Sequence, residues 1–411
     1  MTSSAAVLSD DLIAEVISFL PVKSLVQFRC VSKSWKTLIS DPIFVKLHLE
    51  KSQSQKRNSS LLTIITKHEY FDEHDKEYSV VRCPIDRIFE NPSFTVFNDS
   101  HSHHLNFKDF QGGSFIAGSC NGLILLVDGV FKHWLRVWNP ATRTSSEKFG
   151  YCYHRRGDFR FAFGYDNSTG TYKVVALFKR LKTTEVRILN LGGDLVWRNI
   201  ESFPFAPLSL DVGGDYVYLS GTLNWLAIHN NHSVADLWDN FEDITIEQYI
   251  IVSLDLETET YHQYTVPLGF AEVPPNVPVI AVLRGCLCFS YANKETDFVI
   301  WQMKEFGIED SWTQLLKISY HDLLIDYDFS FDGGTMFCFQ LAPLFLSEDG
   351  DTLVLQSDLE SQTILYNRRD NRTKQTKIIG SRTTADNRTS DYDVVYLDEA
   401  KDYVESLVPI F

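Results

Sequence analysis

The chain has 411 residues, 44% of them hydrophobic, 13% aromatic and 22% charged, which is enough apolar surface to offset chain entropy and excludes bulk disorder. Its 38 basic and 54 acidic residues leave a formal net charge of -16, the wrong sign for a protein that coats nucleic acid or an anionic bilayer. No run of 18 apolar residues and no basic-then-apolar leader is present, so a membrane span and a secretory route are unsupported, and a cytoplasmic or nuclear location is expected.

Ser9, Asp10 and Asp11 offer a hydroxyl cap followed by negative charge at the positive end of a helix dipole, so a helix is expected from Asp10 to about Leu20. Its apolar residues form two stripes, Leu12/Val16/Phe19 and Ile13/Ile17/Leu20, a wider arc than one small core needs. Pro21 ends that helix and opens a second containing Leu25, Phe28 and Val31. Ser32 caps a third, with Trp35, Leu38 and Ile39, and Asp41-Pro42 starts a fourth through Phe44, Val45 and Leu47. A unit this short holds more apolar side chains than its own core can hide. The excess goes either to a partner or to the rest of this chain.

The order of these residues resolves that choice. Leu8-Ser9-Asp10-Asp11-Leu12-Ile13-Ala14-Glu15-Val16, Leu20-Pro21-Val22-Lys23-Ser24-Leu25 and Phe28-Arg29-Cys30-Val31-Ser32-Lys33-Ser34-Trp35 resemble the F-box of plant F-box proteins, departing at Ser9, where the family usually has Pro. The resemblance implies docking to the Skp-type adaptor of a cullin ubiquitin ligase. Carried over position by position, the adaptor-binding residues are Leu8, Leu12, Val16, Leu20, Pro21, Val22, Leu25, Phe28, Val31 and Trp35. Contact is favoured for Leu20, Pro21 and Val22, whereas Phe28, Val31 and Trp35 suit an internal core equally well.

Residues 51–60 are polar, basic and without apolar period, which reads as a linker between a helical domain at 1–50 and a second domain at 61–411. The first 60 residues carry eight basic and five acidic side chains, leaving 30 and 49 for the remainder, so the second domain is strongly acidic. From residue 61 the apolar runs become short and alternating, as at Leu61 to Ile65, Leu123 to Val127, Tyr172 to Leu177, Tyr216 to Leu219, Ile250 to Leu254 and Leu353 to Gln356. A glycine precedes a strand at Gly122, Gly170, Gly221, Gly285 and Gly350, at intervals of 48, 51, 64 and 65 residues, each followed by a second strand-turn-strand half. Units of that size suit propeller blades. Residues 61–110 and Asp391 to Pro409 are expected to share a further blade, giving about six; a β-sandwich or two smaller β domains is the competing architecture.

The words of the repeat carry a second resemblance. Gly118-Ser119-Cys120-Asn121-Gly122-Leu123, Trp138-Asn139-Pro140-Ala141-Thr142-Arg143, Phe163-Gly164-Tyr165-Asp166 with Tyr172-Lys173-Val174-Val175, Gly221 to Ala227 and Ser311-Trp312-Thr313 are similar to the kelch-like F-box-associated domain of plants. It implies an all-β propeller that captures a target protein and leaves that target unnamed. Together the two resemblances cover about nine-tenths of the chain.

Other candidate chemistry is weaker. Gly118 to Gly122 has the outline of a nucleophile elbow around Cys120, but a strand follows where a helix is required, which favours a buried thiol in a tight turn. Asp328, Ser330, Asp332 and Gly333 begin like a calcium loop that ends on Phe339 instead of Glu. His101, His103 and His104 lack a neighbouring Cys and read as a solvated loop. The carboxylates Asp322, Asp326 and Asp328, and Glu348, Asp349 and Asp351, suit turns of an acidic chain better than a glycosidase pair. Seven cysteines without a CxxC pair fit reduced thiols, and the glycosylation motifs at Asn58, Asn98, Asn167, Asn231, Asn371 and Asn387 then arise by chance.

The resulting expectation is a small all-α F-box module followed by an all-β kelch-like propeller, acting as the non-catalytic substrate receptor of an SCF-type ubiquitin ligase. No cofactor or metal is expected, and the partners are the adaptor and a target favoured by a basic patch. The alternative is a propeller glycan hydrolase whose helices serve only packing.

Overall fold

The computed structural model describes residues 9–55, 60–67, 77–84, 105–106, 115–129, 132–153, 159–180, 183–208, 216–228, 244–267, 274, 276–293, 296–325, 340–357, 363–376, 379–381, 392–394 and 401–411. Four helices come first: α1 (Asp10–Ile17), α2 (Val22–Phe28), α3 (Lys33–Ser40) and α4 (Pro42–Gln55). Their starts follow local chemistry. The Ser9 hydroxyl accepts from the Leu12 amide (3.4 Å), the Ser32 hydroxyl from the Trp35 amide (3.2 Å) and the Asp41 carboxylate from the Ile43 amide (2.7 Å), each satisfying a donor that the first turn leaves open. Helix α4 runs to Gln55, so residues 51–55, expected as linker, are helical. The Lys51 ammonium lies 2.8 Å from the Glu15 carboxylate and 4.8 Å from the Phe19 ring centroid, contacts that a sequence without apolar period does not advertise. No helix among the described residues is long and apolar enough to cross a membrane.

The remainder is all β. Among the described residues there are six antiparallel sheets of four or five strands and one two-stranded ribbon, Ile379–Ser381 with Tyr392–Val394. Sheet I joins distant parts of the chain, in the order Lys401–Tyr403, Ser60–Lys67, Glu77–Pro84 and Leu105–Asn106. Sheet II is built from residues 115–153, III from 159–199, IV from 206–265, V from 279–319 and VI from 341–376. The strand runs read from sequence fall on strands, except that Tyr216 precedes the strand Val217–Leu219, and the shared sheet of residues 61–110 with the 391–409 segment is present as sheet I.

Sheets II to VI bury both faces. One apolar cluster joins sheets II and III through Leu125, Val137, Phe163 and Val174, and a second joins III and IV through Val175, Ile188, Trp225 and Val252. Others join IV to V and V to VI. This two-sided burial explains why Leu123–Asp128 and Thr222–Ile228 are buried at every position instead of alternating. Polar staples bridge the same gaps at the rim: the Trp197 indole donates to the Gly150 carbonyl (3.1 Å) and the Trp312 indole to the Thr265 carbonyl (3.0 Å). Strands of successive sheets lie side by side from sheet I through sheet VI, and residues of sheets I, II, IV, V and VI line one cavity of about 400 Å³, so the sheets are arranged as a propeller around a channel.

Turn chemistry accounts for the repeat. Asn121-Gly122, Ser220-Gly221 and Arg284-Gly285 all have positive φ at both residues and close two-residue hairpins, Cys120 facing Leu123, Leu219 facing Thr222 and Leu283 facing Cys286. At the ends of other strands Asn139, Asp166, Asp255 and Asn367 accept hydrogen bonds from the amides two and three residues on. The Thr142/Thr144, Thr169/Thr171 and Thr258/Thr260 hydroxyls then pair across three of these loops at 2.7 to 2.8 Å.

Candidate functional site

The two stripes of α1 separate cleanly in the structure. Ile17 is buried and Ile13 and Leu20 are partly buried against the core of the helical module, whereas Leu12, Val16 and Phe19 are 55%, 66% and 45% exposed. Val31, between α2 and α3, is 69% exposed, and Ile43, in the first turn of α4, is 81% exposed. An exposed Val or Leu forgoes about 1.5–3 kcal/mol of burial, so several on one small module make a surface suited to a partner. Lys51 reaches over Phe19 and pairs with Glu15, which leaves the Leu12/Val16 part of the stripe open.

Of the ten residues assigned to adaptor binding, Leu12, Val16, Pro21 and Val31 lie at the surface. Leu20, Phe28 and Trp35 sit at the edge of the core, the last two in edge-to-face contact at 5.2 Å between ring centroids. Val22 and Leu25 correct the expectation. Both have no exposed surface and pack among Ile17, Ile39, Phe44, Val45 and Leu407, because α2 turns that side toward α3 and α4. Leu8 lies outside the described residues. Phe19 and Ile43 are exposed apolar residues absent from that set; Phe19 shares the spacing of Leu12 and Val16, the signal that finds it.

His48 of α4 is buried beneath this surface, its Nε2 donating to the Leu20 carbonyl at 3.0 Å. Burial lowers its pKa, partly offset by that carbonyl and by Glu405, so the ring is neutral and fixes the chain where α1 ends.

The second candidate region is the channel. Gly118, Cys120, Asn121, Tyr216, Tyr218, Ala281, Arg284, Pro343 and Lys401 contribute to its wall, and Gln53 of α4 stands at one mouth, donating to the Asn121 side-chain carbonyl at 3.0 Å. The Tyr216 hydroxyl ties three sheets together: it accepts from the Phe163 amide (2.7 Å) and donates to the Ala117 carbonyl (3.1 Å). Cys120 is buried at the end of a strand that enters a two-residue turn and another strand, and burial drives its thiol pKa far up, the opposite of an activated nucleophile. Burial likewise pushes the Cys152 thiol to about 11.

The carboxylates of the Glu348, Asp349 and Asp351 group serve a turn. Asp349 accepts from the Ser347 hydroxyl (2.5 Å) and the Asp351 amide (2.9 Å), and Asp351 pairs with Arg369 at 2.9 Å. Asp322 is partly buried. Asp326, Asp328, Ser330, Asp332, Gly333, Phe339, His101, His103 and His104 lie outside the described residues, as do Asn58, Asn98, Asn231 and Asn387. A buried ionic group not foreseen as such links sheets III and IV. The Lys173 ammonium meets Asp166 (2.9 Å), Glu259 (3.0 Å) and the Leu256 carbonyl, and Arg198 covers Glu259 from outside. Burial pushes the Asp166 carboxyl up, but Lys173 and the Ser168 and Thr169 donors outweigh it and hold it far below the usual carboxylate range.

Comparison with known proteins agrees with both resemblances. The F-box domain profile matches residues 7–47, and the profile for the F-box associated beta propeller domain matches residues 76–410. The Arabidopsis thaliana F-box/kelch-repeat protein At3g23880 is 28% identical over 366 residues, covering 87% of this chain and 86% of that protein. The F-box protein CPR1 of the same plant is 26% identical over 333 residues, covering 75% and 72%. Among solved structures, the Cps50 (Swd1) beta-propeller domain of Myceliophteria thermophila aligns over 77% of this chain and 88% of its own at 7% identity, with a TM-score of 0.38.

Proposed function

The chain belongs to the F-box proteins with an F-box associated β-propeller domain, and on that premise we propose that it is the substrate receptor of an SCF-type ubiquitin ligase. The observation that carries the reading is the exposed Leu12/Val16/Phe19 stripe on a module whose other stripe is already committed to its own core. The adaptor covers Leu12, Val16 and Val31 together with the Leu20-Pro21 corner, while Val22 and Leu25 hold the helices behind them in position. The receptor makes and breaks no bonds. It raises the effective concentration of a target lysine near the charged ubiquitin carrier, converting a bimolecular encounter into a tethered one.

The propeller supplies the target surface. Its excess of acidic residues favours a target with a basic patch, so target capture weakens as salt rises. Co-expression with a Skp-type adaptor and a cullin tests the assembly. The chain should elute with both and direct ubiquitin chain formation once the activating and carrier enzymes are added. Elution apart from the adaptor would reject the reading.

A further inference from the structure

The helical module and the propeller share side chains of one short segment, residues 404–411. Leu407 is 2% exposed and belongs to the core of the helical module, beside Val22, Leu25 and Phe44, although it follows the strand that closes sheet I. Val408 packs against that core and against the core between sheets II and III, and Ile410 against the latter. Asn139 of sheet II, fully buried, holds the segment from the propeller side: its Nδ2 donates to the Ser406 carbonyl (3.1 Å) and the Val408 carbonyl (2.8 Å). Its Oδ1 is occupied separately, accepting from the Ala141 and Thr142 amides. Gly122 belongs to the same seat, because a Cβ there would overlap the Ser406 side chain and come within 2.6 Å of the Val404 carbonyl.

We infer that residues 404–411 form a strap that locks the helical module in one orientation on the propeller, with Asn139 and Leu407 as its two anchors. Each anchor grips from a different side, so the segment transmits the propeller's orientation to the module instead of merely following it. The functional consequence rests on the receptor reading: a receptor that holds its target by one end and the ligase by the other delivers a restricted set of lysines only if the angle between the ends is fixed.

Asn139→Asp separates the strap from general folding. The Oδ1 acceptor for Ala141 and Thr142 is retained, while both donors are replaced by an oxygen facing two carbonyls. Leu407→Ser releases the other anchor. For either full-length variant, small-angle scattering should lose the single-orientation profile of the parent, while circular dichroism of the strands persists. In the ligase reconstituted with adaptor, cullin and carrier, self-ubiquitination by Asn139→Asp, mapped by mass spectrometry, should spread from a few lysines to many, at unchanged adaptor affinity. Scattering profiles of folded Asn139→Asp and Leu407→Ser identical to the parent would overturn the strap. Failure of the parent chain to bind adaptor would instead reject the receptor reading and leave the scattering result to decide the strap by itself.

Discussion

A methyl group on Gly118 would overlap the Tyr216 hydroxyl and press to 3.2 Å from the Phe163 Cβ, at the point where three sheets meet through one phenol. Gly118→Ala should therefore cost about 1–3 kcal/mol, read as a lowered urea midpoint. Gly285→Ala meets nothing within 4 Å and bears only the strain of its +75° φ, roughly 1 kcal/mol. Equal losses at the two sites would contradict the packing role of Gly118. The Gly118 to Gly122 word, which from sequence has the outline of a nucleophile elbow, is thus written by packing and turn geometry. Its meaning is hidden in sequence because Tyr216 and Ser406, the residues that demand the glycines, lie about 100 and 280 positions away.

The Lys173 group makes a pH claim with a definite sign. Burial opposes ionisation of Asp166 and Glu259, yet their cations hold both pKa values below the ordinary carboxylate range. The stability they contribute is therefore present above about pH 4 and lost as pH falls through the lowered folded values. Lys173→Met strands a buried carboxylate and should cost about 3–5 kcal/mol at pH 7. It should also flatten the acid-side loss, because Asp166 then loses the cation that does most to depress its pKa and keeps only the Ser168 and Thr169 donors. Denaturant unfolding followed from about pH 7 down to about pH 2 reads both effects, and an acid-side loss as steep as the parent's would refute the assignment.

Among the elements, the helices were the most legible, since caps and three-to-four spacing are local signals. Spacing separates the stripes of α1 but not which stripe stays in water; for α2 it does not distinguish docking from core, and Val22 and Leu25, which the resemblance assigns to docking, are buried. The two roles differ under substitution. Leu25→Ala should cost about 2–5 kcal/mol of stability through the cavity it leaves. Val16→Asp should leave the melting temperature within a degree or two of the parent, as expected of a surface change. Circular dichroism melts compare them directly, and a large loss from Val16→Asp would place that side chain in the core. The strand runs are legible for a similar reason, being short, apolar and bounded by turn residues, although burial of both faces makes Leu123–Asp128 and Thr222–Ile228 continuous where alternation is expected.

For the whole molecule, closure was foreseeable and coupling was not. A ring made from a linear chain gains by joining its ends in one sheet, and Ser60 to Leu62 do pair with Lys401 to Tyr403. Nothing local marks Leu407 as part of a helical core whose other members lie between Ile17 and Val45. The molecule that results is a helical module and a propeller seamed together, with the apolar stripe of α1 left outside the cores of both. Titration of a recombinant Skp-type adaptor into the full chain and into its Leu12→Asp/Val16→Asp double variant tests that stripe most directly. The expected result is tight binding by the parent and a loss of at least about a hundredfold, or ~2.7 kcal/mol, in a variant that still melts like the parent. Undiminished affinity in the variant would contradict the assignment of this face to the ligase.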